Sequence, residues 1–110
     1  QKLNCTEEHL ITLGSLVIDL NRHEVFVNGK LIPLTRKEYD LLLFLIKNKG
    51  IALSRDVLLE TLWGFEYDGD TRIVDVHIFK LREKLTGSNV VIVTKRGIGY
   101  MLEEVSNETK

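Results

Sequence analysis

Hydrophobic and polar positions alternate in short runs over the first third of the chain. Leu10–Leu13, residues 16–20, Glu24–Val27 and Lys30–Ile32 read as β-strands, separated by Gly14-Ser15, Asn21-Arg22-His23 and Asn28-Gly29. Asn28-Gly29 between Val25-Phe26-Val27 and Lys30-Leu31-Ile32 is a strong two-residue hairpin signal. The pattern predicts an antiparallel sheet of about four strands. The period then becomes helical. Thr35 followed by Glu38 makes a capping box with Pro33 just outside it, so a helix should run from about Arg36 to Asn48. Tyr39, Leu42, Leu45 and Ile46 supply its buried face, and Gly50 follows its end. Ile51-Ala52-Leu53 can add a strand. Ser54 caps a second helix with Asp56 in its first turn; Val57, Leu58, Leu62 and Trp63 face inward and Gly64 ends it.

After a loop over residues 65–70 with three acidic side chains, Val74, Ile78, Leu81 and Leu85 form one apolar stripe on a third helix, spanning about 71–86. At roughly 100° per residue, the stripe leaves Arg72, Val76, Phe79, Lys80 and Glu83 on the far side. A plain surface helix carries only polar groups there. Two apolar residues beside two cations suit a helix that touches phosphates and base methyls, and equally one that packs on a partner protein. Residues 90–94 and 99–103 then form two strands joined by Lys95-Arg96-Gly97-Ile98, where Gly97 and Gly99 let the backbone turn. The order is sheet, helix, short strand, helix, loop, helix, hairpin. That is an α+β domain over residues 10–103, a helix-turn-helix variant with a β-hairpin wing, flanked by a linker remnant at 1–9 and a tail at 104–110.

Charge changes the picture more than composition does. The net charge is −1, yet residues 71–100 carry six basic and two acidic side chains, a local net of +4 on an acidic remainder. A basic third on an acidic body is an electrostatic footprint for a polyanion, with chance segregation as the bland alternative. The longest apolar run is the six residues 41–46, far short of a bilayer span, and the N-terminus lacks an apolar signal core. A soluble, cytoplasmic chain is expected. Cys5 has no partner cysteine and no basic neighbour, which favours an incidental thiol over a redox one. His9, His23 and His77 lack metal-ligand spacing and no nucleophile motif is present, so no catalytic residue, metal or cofactor is expected.

The runs Leu34-Thr35-Arg36-Lys37-Glu38-Tyr39, Leu53-Ser54-Arg55-Asp56-Val57-Leu58, Leu62-Trp63-Gly64, Arg72-Ile73-Val74-Asp75-Val76-His77-Ile78, Leu81-Arg82-Glu83-Lys84-Leu85 and Arg96-Gly97-Ile98-Gly99-Tyr100 occur in this order. Together they resemble the winged-helix effector domain of OmpR/PhoB-type response regulators of bacterial two-component systems. The resemblance implies sequence-specific binding of double-stranded DNA to regulate transcription, with the third helix in the major groove and the wing (94–99) in the minor groove. It implies DNA contacts at Arg55, Trp63, Arg72, Val76, His77, Lys80, Arg82, Lys84, Thr94, Lys95, Arg96 and Tyr100. It further implies a polymerase-contacting loop of Gly64, Phe65, Glu66, Tyr67, Asp68, Gly69 and Asp70. An N-terminal receiver domain, a sensor histidine kinase acting by phosphorelay, and a dimer on direct repeats formed from monomeric isolated domains complete the expectation. Some positions keep two readings. His77 can be a half-buried structural residue, Tyr100 a core aromatic, and Asp75 either an orienting carboxylate or a solvated one. Family members usually place a polar or charged residue where Phe79 stands, so its role is open, as is a second use of the fold as a protein–protein module.

Overall fold

The computed structural model describes residues 9–64 and 71–105. The expected loop residues Phe65, Glu66, Tyr67, Asp68, Gly69 and Asp70, most of the linker with Cys5, and the end of the tail lie outside the described residues.

Strands β1 (Leu10–Leu13), β2 (Leu16–Asp19), β3 (Glu24–Val27) and β4 (Lys30–Ile32) form a four-stranded antiparallel sheet in chain order. The register aligns Ile11, Ile18, Val25 and Ile32 across the sheet on its core-facing side. Asn28 and Gly29 both have positive φ, 54° and 78°, the geometry of a hairpin turn that follows the natural strand twist. Leu16, Ile18, Val25 and Val27 are buried in the same core cluster as the apolar face of the first helix.

Helix α1 (Arg36–Lys47) begins with the full capping box: the Glu38 amide donates to the Thr35 hydroxyl, and the Thr35 amide donates to the Glu38 carboxylate. Its Tyr39, Leu41, Leu42, Leu45 and Ile46 are buried at the centre of the core. Helix α2 (Arg55–Leu62) is capped by Ser54, whose hydroxyl accepts from the Val57 amide. Val57 itself is a correction: 41% of its surface is exposed. In so short a helix the buried arc is defined by Leu58, Leu59 and Leu62, and Val57 falls on the opposite side. Helix α3 (Arg72–Lys84) turns Val74, Ile78, Leu81 and, at its cap, Leu85 into the core, as the stripe predicts.

A second sheet has the order β5-β7-β6, from β5 (Leu53–Ser54), β6 (Val90–Lys95) and β7 (Gly99–Glu104). The short strand lies later than the expected 51–53. The Ile51 amide is used in closing the turn after α1, and pairing starts only where Leu53 meets Tyr100 and Ser54 meets Gly99. That crossing is tight: a Cβ built on Gly99 would sit 2.0 Å from the Leu53 carbonyl oxygen. Backbone cannot yield as a flexible side chain can, so Gly99 is what lets the wing lie against the start of α2. Gly99→Ala is expected to destabilise the domain by about 1–3 kcal/mol, the usual cost of overpacking. Urea unfolding monitored by circular dichroism checks this; an unchanged midpoint would remove the close-approach argument.

Candidate nucleic-acid interface

The buried stripe fixes the rotation of α3 and so decides what it presents outward. Arg72, Val76, Phe79, Lys80 and Glu83 are all exposed. Val76 is 48% and Phe79 61% exposed, the latter the largest value among the described exposed large hydrophobics. Lys80 makes no hydrogen bond or ion pair among the described residues.

Asp75 organises the neighbourhood of this face. One carboxylate oxygen accepts from Arg55 Nη1 at 2.9 Å, the other from the Tyr100 hydroxyl at 2.5 Å. Three elements meet there: the first turn of α2, α3 and strand β7. Burial, and next the hydrogen bond to Asp75, push the Tyr100 phenol above its ordinary value, so it keeps its proton and goes on donating. Of the two readings of Tyr100, the structure favours the core aromatic. The residue is 9% exposed and its only hydroxyl proton is committed to Asp75, so what remains for an outside group is an acceptor. Asp75 is the orienting carboxylate: it holds Arg55 in place while leaving that side chain about half exposed.

Arg82 joins the helix to the wing. Its Nε and Nη2 donate to the Ile92 carbonyl at 3.0 and 2.8 Å, and Nη2 also donates to the Thr94 hydroxyl at 2.7 Å. The guanidinium lies 5.7 Å from the Tyr100 ring centroid, a cation–π distance. Arg82 and Thr94, expected as DNA contacts, are therefore hydrogen-bonded to each other, and Arg82 is held by the Ile92 carbonyl as well. Beyond them the wing turns through residues 95–98, closed by the Ile98 amide donating to the Lys95 carbonyl at 2.9 Å. Gly97, at φ 77°, takes the third position of that turn, and Arg96 stands exposed at the second. An open cleft of about 540 Å³ separates the wing from the start of α2; Arg55, Thr71, Thr94, Lys95, Arg96 and Tyr100 are among its walls.

Trp63 and His77 meet edge to face, 5.0 Å between centroids, at the junction of α2 and α3. His77 Nδ1 lies 2.9 Å from the Ile73 carbonyl oxygen, which only accepts, so Nδ1 carries the proton and Nε2 is left for another partner. Lys37 lies 5.4 Å from the Trp63 ring centroid and donates to the Leu62 carbonyl. The sequence reading missed Lys37, because only the tertiary fold brings the start of α1 to the end of α2.

Lys84 is placed elsewhere. Its ammonium donates to Glu38 at 2.6 Å, and Glu38 is 2% exposed. The lysine expected on DNA is turned inward to neutralise the carboxylate that completes the α1 capping box. Burial raises the Glu38 carboxyl, but the Lys84 hydrogen bond, the Thr35 amide and the lysine charge outweigh it, and the net direction is down.

This geometry coincides with known proteins. A family model described as "Transcriptional regulatory protein, C terminal" matches residues 29–102. The chain belongs to this family of OmpR/PhoB-type C-terminal DNA-binding domains. The alkaline phosphatase synthesis regulator PhoP of Bacillus subtilis is 45% identical over 88% of this chain and 42% of its own length. The sensory transduction protein RegX3 of Mycobacterium tuberculosis is 45% identical over 82% of this chain and 41% of its own length. The chain thus spans less than half the length of these curated relatives. Among solved structures, the Klebsiella pneumoniae RstA DNA-binding domain in complex with the RstA box superposes with a TM-score of 0.75 at 35% identity, covering 86% of this chain and 96% of that one. The AdeR DNA-binding domain in complex with an intercistronic region gives 0.73 at 29% identity, over 84% and 97%. The OmpR/PhoB-type domain is a transcription-factor domain and not a known enzyme class, and no helix among the described residues is long and apolar enough to cross a membrane.

For this effector domain, Lys84→Ala is expected to cost about 3 kcal/mol of stability, because it leaves the buried Glu38 charge without its counter-ion and with only the Thr35 amide, with affinity for DNA within about twofold once the protein is folded. Denaturant titration and a binding isotherm separate the two; a large affinity loss at unchanged stability returns Lys84 to the interface. A carboxyl whose folded pKa is lowered stabilises the fold above its ordinary value of 4.5 and loses that contribution as pH falls through the folded value. Stability should therefore decline below about pH 4.5, with Glu38→Gln flattening that part of the curve.

Proposed function

We propose that the domain reads specific double-stranded DNA with α3 in the major groove and the wing in the minor groove. The observation that carries this is the exposed Arg96 at the tip of a wing clamped to α3 through Arg82, beside a helix face that exposes Lys80 and Val76. A guanidinium at a hairpin tip suits the negative potential of a narrow minor groove. Lys80 addresses a base edge or phosphate from the major groove, and Val76 a thymine methyl. Arg55, Trp63, Arg72 and Lys95 serve phosphates, which set register without carrying sequence, and His77, whose Nε2 can only accept, acts by packing against Trp63. Arg82 and Thr94 act mainly by holding the wing, and Tyr100 by holding Asp75. The RstA and AdeR domains are solved on DNA, and these likenesses support the assignment.

The wider protein is read in the same terms. The relatives are response regulators, and an N-terminal receiver domain phosphorylated by a sensor kinase accounts for the length that they have and this chain lacks. Two copies bind direct repeats about one helical turn apart, in the cytoplasm, and the loop from Gly64 to Asp70 meets RNA polymerase through Glu66, Asp68 and Asp70. A second use, docking of a protein on Val76 and Phe79, is favoured only by their exposure.

Arg96→Ala is expected to weaken binding to a selected duplex by about 1–3 kcal/mol without lowering the melting temperature. With Arg55, Arg72, Lys80 and Lys95 each neutralising a phosphate, affinity is expected to fall on the order of a hundredfold between ~50 and ~200 mM salt. Fluorescence anisotropy measures both. Specific binding that ignores salt, or an Arg96→Ala variant of full affinity, counts against the wing in the minor groove.

A further inference from the structure

Phe79 is unexplained by the phosphate and wing contacts above. It is 61% exposed, makes no ring stack among the described residues, and belongs to no part of the core cluster. A phenyl ring left in water in mid-helix gains nothing for the fold, and leucine or arginine would suit the helix better there. Its surroundings are specific. Val76, 48% exposed, lies one turn before it on the same face, and the exposed cation Lys80 follows it directly. The apolar pair thus sits inside the charged surface assigned to DNA, not beside it.

We infer that Phe79 is a specificity-determining residue that recognises the 5-methyl group of thymine, with Val76 completing an apolar reader for adjacent thymines. This rests on the DNA-binding role of α3. A phenyl ring has no donor for a phosphate. The floor of the major groove offers one apolar group, the thymine methyl, which phenylalanine can contact. Residues three apart on a helix are about 4.5 Å apart along its axis, and successive bases about 3.4 Å apart along a strand. Val76 and Phe79 therefore match neighbouring bases and not distant ones. Lys80 keeps the helix in the field of the backbone while the ring faces the floor. The motif this predicts is a thymine-containing step in the half-site read by the middle of α3.

The test uses the 110-residue chain and a duplex selected by it from a random pool. Each thymine is replaced singly by uracil, which deletes only the methyl. Uracil at one or two adjacent positions should weaken the wild-type chain about threefold to fivefold. At one of them Phe79→Ala should show no further loss, while at the other positions wild type and variant should respond alike. Phe79→Ala should also bind the selected duplex about tenfold more weakly yet bind a scrambled duplex within twofold of wild type. Circular dichroism checks that the variant melts as wild type does. A Phe79→Ala variant with unaltered affinity and an unaltered uracil profile, in a preparation where Arg96→Ala still weakens binding, overturns the inference alone. Failure to select any duplex overturns the DNA-reading assignment, and this inference with it.

Discussion

The two oxygens of Asp75 hold together the surface on which function depends. A carboxylate on a helix that approaches a polyanion is an electrostatic liability when it faces outward. Here both oxygens are engaged, one by Arg55 and one by Tyr100. The negative charge is spent on placing a cation from α2 and a phenol from β7, so the first turn of α2, α3 and the wing share one fixed point. Arg82 supplies a second point further along, gripping Ile92 and Thr94. Two attachments fix the angle between helix and hairpin where one would leave a hinge.

Beneath that surface, α1 and α3 are joined by chemistry of a different kind. Val74, Ile78 and Leu81 pack into the core that Leu41, Leu42 and Leu45 form, a non-directional attraction that tolerates rotation. The Glu38–Lys84 pair does not. One Glu38 oxygen serves both the Thr35 amide and Lys84, so the start of α1 and the end of α3 are set by a single charged atom. Replacing such a pair by apolar residues is often neutral for stability, whereas removing one partner is costly. Its contribution is to position more than to strengthen.

What the sequence made legible was local. The Asn28-Gly29 hairpin, the Thr35/Glu38 capping box and the four-residue stripe of α3 each rest on neighbours a few positions apart, and each is present. Exposure of Val76 and Phe79 followed from the stripe by helical geometry alone. What was not legible are pairings across the fold. Lys84 meets Glu38 across 46 positions, Arg82 meets a carbonyl on another element, and Tyr100 finds Asp75; none leaves a periodic trace. A long basic side chain near a helix end is compatible with either an inward or an outward partner, and only packing chooses. Val57 was misplaced because α2 is too short for its apolar positions to define an arc unaided. The acidic loop after Gly64 could be named from sequence but lies outside the described residues.

The attachment of the wing to α3 bears on how association proceeds in time. A hairpin free to swing would have to be ordered at each encounter, adding an entropic barrier to productive collisions. With Arg82 closing the hairpin onto the helix, and Gly99 seating its base on β5, that ordering is completed when the chain folds. Helix and hairpin then meet a duplex as a rigid two-pronged body, and the rate of capture is governed by long-range steering and orientation instead of by internal rearrangement.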